Sequence, residues 1–121
     1  MVMTDRDLLE LAARAAGIGP LDFEYPKREG HGMYFGPRLP MPQRVLMAAM
    51  HTYWNPLADN GDALRLAVKL ELIIGCYAGS IIVDGKGVAA EEHDLSDRDA
   101  ATRRAIVRAA AELGKQSGEA G

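Results

Sequence analysis

The chain has 121 residues, of which 48% are apolar and 26% charged, and its formal net charge is -3. This length and composition are typical of one globular domain with its own core, and they exclude a disordered chain. The negative charge argues against a protein that coats nucleic acid or an anionic membrane, since both need a basic footprint. Cys76 is the only cysteine, and no apolar run approaches the ~20 residues of a membrane span. Composition therefore predicts a soluble protein of a reducing cytosol, without a signal peptide.

The first predicted element is a helix from Thr4 to Ala16. Thr4 can cap it, Asp7 follows three residues later as in a capping box, and Gly17 comes after the last periodic residue. Its predicted core face carries apolar residues at helical spacing, namely Leu8, Leu11, Ala12 and Ala15.

Two short strands are predicted next. Leu21, Phe23 and Tyr25 alternate with acidic residues, as in a half-buried strand, and Met33–Phe35 can return beside it. The structure of Gly36–Tyr53 stays open. Its three prolines exclude regular structure at its start. Propensity favours a helix in the apolar remainder, whereas the resemblance described below favours an extended strand.

A second helix is predicted from an acidic cap, Asp59 or Asn60, to about Leu70. The spacing places Leu66, Ala67 and Leu70 inward and Arg65 and Lys69 outward.

Three strands are predicted after this helix. Leu72–Tyr77 is an apolar run typical of a strand buried on both faces, with Cys76 as a small hydrophobic residue inside it. Ser80–Val83 and Val88–Ala90 flank Asp84-Gly85-Lys86-Gly87, a strong hairpin turn. Because short turns rather than helical crossovers join the strands, the sheet is predicted to be antiparallel.

The last predicted helix opens with Ser96 and Asp99 as a capping box and stops at Gly114. Arg104 and Arg108 share an outer stripe, and the inner stripe contains Ile106, Ala109, Ala110 and Leu113. The sequence thus predicts a single α+β domain over residues 1–114, with helices packed on an antiparallel sheet, and a disordered tail over residues 115–121.

The sequence predicts no catalytic apparatus, metal or cofactor. Glu91-Glu92-His93-Asp94 is the obvious metal candidate, with His31 and His51 in reserve, but the spacing of zinc ligands is missing. An acidic cluster before a helix is better explained by the helix dipole. Cys76 lies in an apolar run that does not favour a nucleophile. An enzyme that uses Glu91, Glu92 and His93 ranks last among the hypotheses.

The arginines allow two interpretations. Arg103 and Arg104 lie in the first turns of the last helix, where the dipole mildly disfavours cations, and the pair could bind phosphate there. The alternative is a solvated face paired with Asp97 and Asp99, which the residues alone favour. Lys27 and Arg28 carry the same ambiguity.

The aromatic residues are ambiguous as well. Trp54 and Tyr34 could stack a purine base. Equally, the only tryptophan of a small domain is more often an anchor of the core.

Two segments resemble the phage ABA-sandwich domain family. They are Trp54-Asn55-Pro56-Leu57 with its Asp-rich cap and the helix Ala63–Leu70, and the opening of the last helix at Ala101–Ile106. The resemblance covers residues 54–70 and 101–114 well and the first helix loosely. The proline-rich stretch 37–43 departs from the family pattern.

The resemblance implies a function. One branch of the family, the first Thoeris anti-defence proteins, binds cyclic ADP-ribose isomers, and in some members CBASS cyclic oligonucleotides, without degrading them. It implies a phage protein of the host cytoplasm that forms a dimer-based homo-oligomer, with ligands at subunit interfaces. By position, Arg103 or Arg104 would contact phosphate and Arg28 would assist from a neighbouring subunit. Trp54 and Asn55 are weaker candidates.

A second hypothesis is a phage accessory protein that inhibits a host defence complex by protein contact. It would use exposed methionine and aromatic surface at Met47–Trp54 and would need no small-molecule pocket.

Overall fold

The structure is a computed structural model that describes residues 3–21, 23, 37, 39 and 53–120. In chain order its elements are α1 (Asp5–Ala15), α2 (Asn60–Lys69), β1 (Ile73–Cys76), β2 (Ile81–Gly85), β3 (Val88–Glu92) and α3 (Arg98–Ala120). Within these residues, three helices pack with a three-stranded antiparallel sheet in the order β1-β2-β3. The predicted α+β class is therefore confirmed.

Helix α1 begins as its sequence predicts. The Thr4 hydroxyl accepts the N–H of Asp7 at 3.1 Å, and the Asp7 carboxylate accepts the N–H of Thr4 at 3.0 Å. This reciprocal capping box satisfies two N–H groups that the first helical turn leaves unpaired. Gly17 follows the helix with φ 72°, which favours glycine.

The buried face of α1 is rotated slightly from the predicted one. Leu8, Leu9, Ala12 and Ala13 are buried, whereas Leu11 and Ala15 are only partly buried. Leu9 and Ala13 lie next to Leu8 and Ala12 on the helix surface, so the buried face is centred between these pairs and not on Leu11 and Ala15.

Helix α3 lies at the centre of the fold and contacts α1, α2, β2 and β3. Small buried residues are frequent on both α1 and α3. The fully or nearly fully buried alanines are Ala12 and Ala13 on α1 and Ala105, Ala109, Ala110 and Ala111 on α3. Side chains of this size allow two helix backbones to approach closely, as they do where Gly114 meets the backbone of Leu11.

The predicted stop of α3 at Gly114 was wrong, because the helix continues to Ala120. Gly114 is buried against α1, where an added Cβ would overlap the backbone oxygen of Leu11 and lie 2.7 Å from its carbonyl carbon. The glycine therefore serves helix packing, which outweighs its cost of about 1 kcal/mol in a helix interior. Residues 115–120, predicted as a tail, extend the helix.

The cap of α3 also differs from the prediction. The Asp97 carboxylate accepts the N–H of Ala100 at 3.0 Å, which makes Asp97 the N-cap in place of Ser96. The N–H and hydroxyl of Ser96 donate to Asp94 instead.

Helix α2 matches its prediction. The Asp59 side chain accepts the N–H of Asp62 at 2.8 Å and caps the helix. Leu66, Ala67 and Leu70 are buried, and Arg65 and Lys69 are exposed, as their spacing predicts.

The hairpin between β2 and β3 is confirmed. Gly85 pairs with Val88, so Lys86 and Gly87 form a two-residue loop. Their φ values of 53° and 84° are typical of a type I′ turn, which matches the twist of the flanking strands. The central strand β2 buries Ile81 and Val83 on the face that packs against α3.

Strand β1 was predicted to be buried on both faces, and that prediction was wrong. Among the described strands it lies at an edge of the sheet, Ile73 is 67% exposed, and Cys76 is exposed. Ile74 is the residue of this strand that packs against the core. An apolar run does not reveal whether its strand is central or at an edge.

The predicted strands at Leu21–Tyr25 and Met33–Phe35, and the open segment Gly36–Tyr53, lie largely outside the described residues. Among the exceptions, Leu21 and Phe23 pack against the core outside any strand, and Leu39 is buried. In the part of the chain that the structure describes, no helix is long and apolar enough to cross a membrane.

Candidate functional site

The turn that leads into α2 is held by its own polar groups. The side-chain oxygen of Asn55 accepts the N–H of Leu57 at 3.1 Å, and its backbone oxygen accepts the N–H groups of Ala58 and Asp59. Trp54 is 6% exposed, and its backbone N–H donates to the carbonyl oxygen of Pro37 at 2.9 Å. The turn therefore has a clear structural role.

Asp62 joins this turn to α2. It is 4% exposed, and its carboxylate accepts the N–H of Asn55 at 2.9 Å and an N–H of Arg65 at 2.8 Å. A buried carboxylate needs such partners to offset its lost hydration. The residue therefore positions the start of the helix.

Arg103 fastens α3 to the same turn. Its Nε donates to the carbonyl oxygen of Leu57 at 2.8 Å, and its Nη1 donates to the side-chain oxygen of Asn60 at 2.6 Å. These contacts join residues more than 40 positions apart and occupy two sides of the guanidinium.

Arg104 faces the other way, toward the start of α1. Its Nη2 donates to the Asp5 carboxylate at 3.0 Å, and the two side chains are 42% and 65% exposed. The predicted partners Asp97 and Asp99 are thus replaced by Asp5 for Arg104 and by Leu57 and Asn60 for Arg103.

Arg108 lies one helical turn beyond Arg104 and contacts the edge of β3. Its Nη1 donates to the backbone oxygen of Glu91 at 2.9 Å and to the carboxylate of Glu92. The Glu92 side chain is only 17% exposed, so this ion pair is held between α3 and the sheet. The pair fixes the position of the guanidinium.

Arg104 and Arg108 both line an open groove of about 720 Å³ between α3, β3 and the start of α1. Its apolar lining comes from Met3, Leu8, Val88, Ala89 and Ala90, and its polar lining from Glu92, Arg104, Arg108, Glu112, Lys115 and Gln116. We call this the α3–β3 groove. Three cations line it, and each forms an ion pair with a carboxylate: Arg104 with Asp5, Arg108 with Glu92, and Lys115 with Glu112.

The acidic segment Glu91–Asp94 gives no metal centre. Among the described residues, no group of three His, Cys, Asp or Glu side chains could hold a metal ion. His93 lies 3.4 Å from the Glu91 carboxylate. The hydroxyl and then the N–H of Ser96 lower the pKa of Asp94 by hydrogen bonding to its charged form. His31 and His51 lie outside the described residues.

The predicted site residues do not all come together. Arg104 lines the α3–β3 groove, whereas Arg103, Trp54 and Asn55 surround the turn before α2. Arg28 and Tyr34 lie outside the described residues. The alternative protein-contact surface at Met47–Trp54 is described only at its last two residues, of which Trp54 is buried.

Arg108 was predicted on an outer helical stripe but not as a site residue. Its signal in the sequence is its i, i+4 spacing from Arg104, which places both guanidinium groups on one helical face. The sequence does not show that β3 lies beside that face.

The fold and the groove together define a small α+β domain with an arginine-lined surface groove. No family model, curated protein or solved structure matches the chain. The resemblance to the phage family therefore stays a prediction, and function is argued from the site.

Proposed function

We propose that the α3–β3 groove binds an anionic small molecule that carries phosphate groups, and that the chain holds this ligand without converting it. The observation that carries the proposal is the pair Arg104 and Arg108, which open one turn apart on a groove of about 720 Å³. Small-molecule sites typically enclose ~300–1,000 Å³. Guanidinium groups recognise phosphate through paired, charge-assisted hydrogen bonds.

Both guanidinium groups keep donors for a ligand. Arg104 uses Nη2 for Asp5, and Arg108 uses Nη1 for Glu91 and Glu92. Their other N–H groups make no hydrogen bond to a described residue, and each side chain is 42% exposed. A guanidinium has five N–H donors, so each arginine can keep its internal contact and still bind an anion.

The two ion pairs would respond differently to a ligand. Asp5 is 65% exposed, and an exposed ion pair contributes only about 0–1 kcal/mol, so a phosphate can replace this carboxylate at small cost. Glu92 is largely covered and keeps Arg108 aimed along the groove. Arg108 is therefore held in position before a ligand binds, whereas Arg104 can leave Asp5 to contact the ligand.

The length of the groove favours a ligand with more than one anionic group. Lys115 lies eleven residues after Arg104 on the same helix, which corresponds to roughly 16 Å along the axis. The lining also includes the exposed Ala89 and the partly exposed Met3, which offer apolar surface to a ring. A ligand with two separated phosphates on either side of a base or sugar could place one phosphate near the arginines and the other near Lys115.

A cyclic nucleotide combines these properties, and the resemblance to the Thoeris anti-defence branch supports that class. On this proposal the chain is a phage counter-defence protein that sequesters a cyclic ADP-ribose isomer or a CBASS cyclic oligonucleotide in the host cytoplasm. Sequestration works by mass action, so the affinity must be submicromolar, which corresponds to at least about 8 kcal/mol of binding free energy.

The test is a thermal-shift screen of the purified chain against cyclic ADP-ribose isomers and cyclic di- and trinucleotides. Each stabilising ligand is then released by heating and identified by mass spectrometry. The proposal expects a raised Tm and an intact ligand. An altered ligand would indicate an enzyme, and no shift with any nucleotide would contradict the proposal.

Inhibition of a host complex by protein contact is the second candidate, and one observation favours it. Leu64 and Val68, one turn apart on the outer side of α2, are 58% and 68% exposed. Such a pair can serve as anchors for another protein. This function predicts that Leu64→Asp abolishes capture of the host complex and leaves nucleotide binding unchanged.

A further inference from the structure

No strand in the described part of the chain pairs with the outer edge of β1. Its pairing with β2 fixes which backbone groups face outward. The N–H of Tyr77 donates to the carbonyl of Ser80 at 2.9 Å, where the two strands meet. In an antiparallel ladder, hydrogen-bonded pairs alternate with non-hydrogen-bonded ones. The residues two and four positions earlier, Gly75 and Ile73, therefore direct their N–H and C=O groups toward β2.

The alternate residues, Ile74 and Cys76, direct their backbone N–H and C=O groups away from β2. Neither makes a backbone hydrogen bond to a described residue on that side. At the opposite edge of the sheet, Arg108 donates to the outward carbonyl of Glu91. Within the described residues, β1 has four outward backbone groups without a hydrogen-bond partner.

The outer edge of β1 lacks the usual protection against pairing. Residues 72–79 read Leu-Ile-Ile-Gly-Cys-Tyr-Ala-Gly and contain neither a charge nor a proline, the features that normally block an edge strand. Ile73 and Tyr77 are 67% and 57% exposed on the outer face. The Tyr77 ring leans over Gly75, within 2.8 Å of where a Cβ would stand. The face beside this edge is therefore apolar.

We propose that β1 pairs antiparallel with β1 of a second copy of this chain, around a twofold axis at Gly75. Ile74 of each copy then lies opposite Cys76 of the other copy, and the two pairs form four backbone hydrogen bonds. The two three-stranded sheets become one six-stranded sheet. The inference is independent of the groove and its ligand.

The sequence of β1 fits its own copy in this register. Gly75 lies opposite Gly75 at the axis, in a non-hydrogen-bonded pair whose Cα atoms approach to ~4.5 Å. Ile73 lies opposite Tyr77 on both sides, and aromatic pairs with β-branched residues stabilise antiparallel strands. Strand β1 contains no charged residue, so its pairing with a second copy places no like charges of the two strands opposite each other. The Arg98 guanidinium, which donates to the Tyr77 carbonyl at 2.7 Å, lies beside the end of this strand.

Other registers satisfy fewer groups. A shift by two residues places one outward residue opposite Leu72, whose N–H already donates to Ala67 at 2.9 Å. The opposite shift places it opposite the turn at Ala78. The register centred on Gly75 is the one that uses all four open groups of β1.

The test is the mass of the full chain by analytical ultracentrifugation over a wide range of concentration. The expected mass is twice the 13.1 kDa of one chain. The double variant Ile73→Asp/Tyr77→Asp places carboxylates opposite each other across the axis and should be monomeric. Val68→Asp is the matched control, because Val68 is as exposed as Ile73 but lies on α2, and it should stay dimeric.

A second variant keeps the test independent of added charge. Cys76→Pro removes an outward N–H and spares the ladder to β2, so it should also give monomers. A wild-type chain that is monomeric at every concentration, or a dimer that survives both edge variants, would overturn the proposal.

Cross-linking tests the register. In a Cys76→Ser background, Ile73→Cys chains mixed with Tyr77→Cys chains should form a disulfide, because these positions face each other. Each variant alone should not, since its two thiols lie roughly 13 Å apart along the strands. Self-linking without mixed linking would exclude this register.

Discussion

At the residue scale, three arginines of α3 lie in two different surroundings. Arg103 bonds to Leu57 and Asn60 and joins the helix to the turn before α2. Arg104 and Arg108, on the neighbouring stripe, line the groove. Adjacent arginines in a sequence point about 100° apart on a helix, so a dipeptide that looks like one site can serve two.

Arg103→Ala is expected to lower the free energy of unfolding by about 1–3 kcal/mol, because it removes two charge-assisted hydrogen bonds from a partly buried junction. Urea denaturation measures this loss. Arg103→Lys keeps the charge but loses the guanidinium fork, and we expect it to recover little.

Arg14→Ala is the matched control for this prediction, since Arg14 is an exposed arginine in the last turn of α1. Its loss should cost less than about 1 kcal/mol. Equal stability of the two alanine variants would show that the contacts of Arg103 contribute nothing.

At the element scale, local chemistry predicts some features and tertiary contact decides others. Two features depend only on residues a few positions apart, namely the capping box at Thr4 and Asp7 and the two-residue hairpin loop at Lys86-Gly87. For this reason they could be predicted. Gly114 has the same local appearance as a helix stop, but its role depends on α1, which is distant in sequence.

Gly114→Ala is expected to destabilise the fold by about 1–3 kcal/mol or more, although alanine favours a helix. The added methyl group would overlap the backbone of Leu11 and force α1 and α3 apart. Thermal and urea unfolding measure the change.

Gly61→Ala is the control, because Gly61 is also a helical glycine, but the nearest atoms to its Cβ are side-chain atoms of Arg65 and Asp59 at 3.1 Å. Shifts of a few tenths of an ångström relieve these contacts, and Asp59 is also the cap of α2, so this variant should cost something but clearly less than Gly114→Ala. A Gly114→Ala chain at least as stable as Gly61→Ala would show that the close approach of α1 and α3 is not needed.

At the scale of the whole molecule, the sequence does not reveal the features that depend on contacts between distant parts of the chain. Glu92 is distant from Arg108 in sequence, and only the packing of α3 on β3 brings them together. Asp62 reads as one more acidic residue near a helix cap, yet it is buried. The apolar run of β1 suggested a central strand and instead forms an edge among the described strands. Each depends on which elements become neighbours.

The two proposals concern opposite edges of the sheet. The α3–β3 groove lies beside β3, and the proposed dimer contact lies on β1. Pairing of two copies at β1 would therefore leave both grooves open, at the two ends of a six-stranded sheet. The stoichiometry expected for a saturated dimer is one groove ligand per chain.

The most direct test of the central claim is a calorimetric titration of the chain with each cyclic nucleotide that stabilises it. We expect a submicromolar Kd for the wild type, a Kd at least tenfold weaker for Arg108→Gln, and no change for Arg14→Gln, which alters an exposed arginine outside the groove. Each tenfold loss of affinity corresponds to about 1.4 kcal/mol of binding free energy, which is close to the contribution of one charge-assisted hydrogen bond. Tight binding that Arg108→Gln and Arg104→Gln leave unchanged would place the ligand elsewhere, and the absence of binding to the wild type would contradict the proposed function.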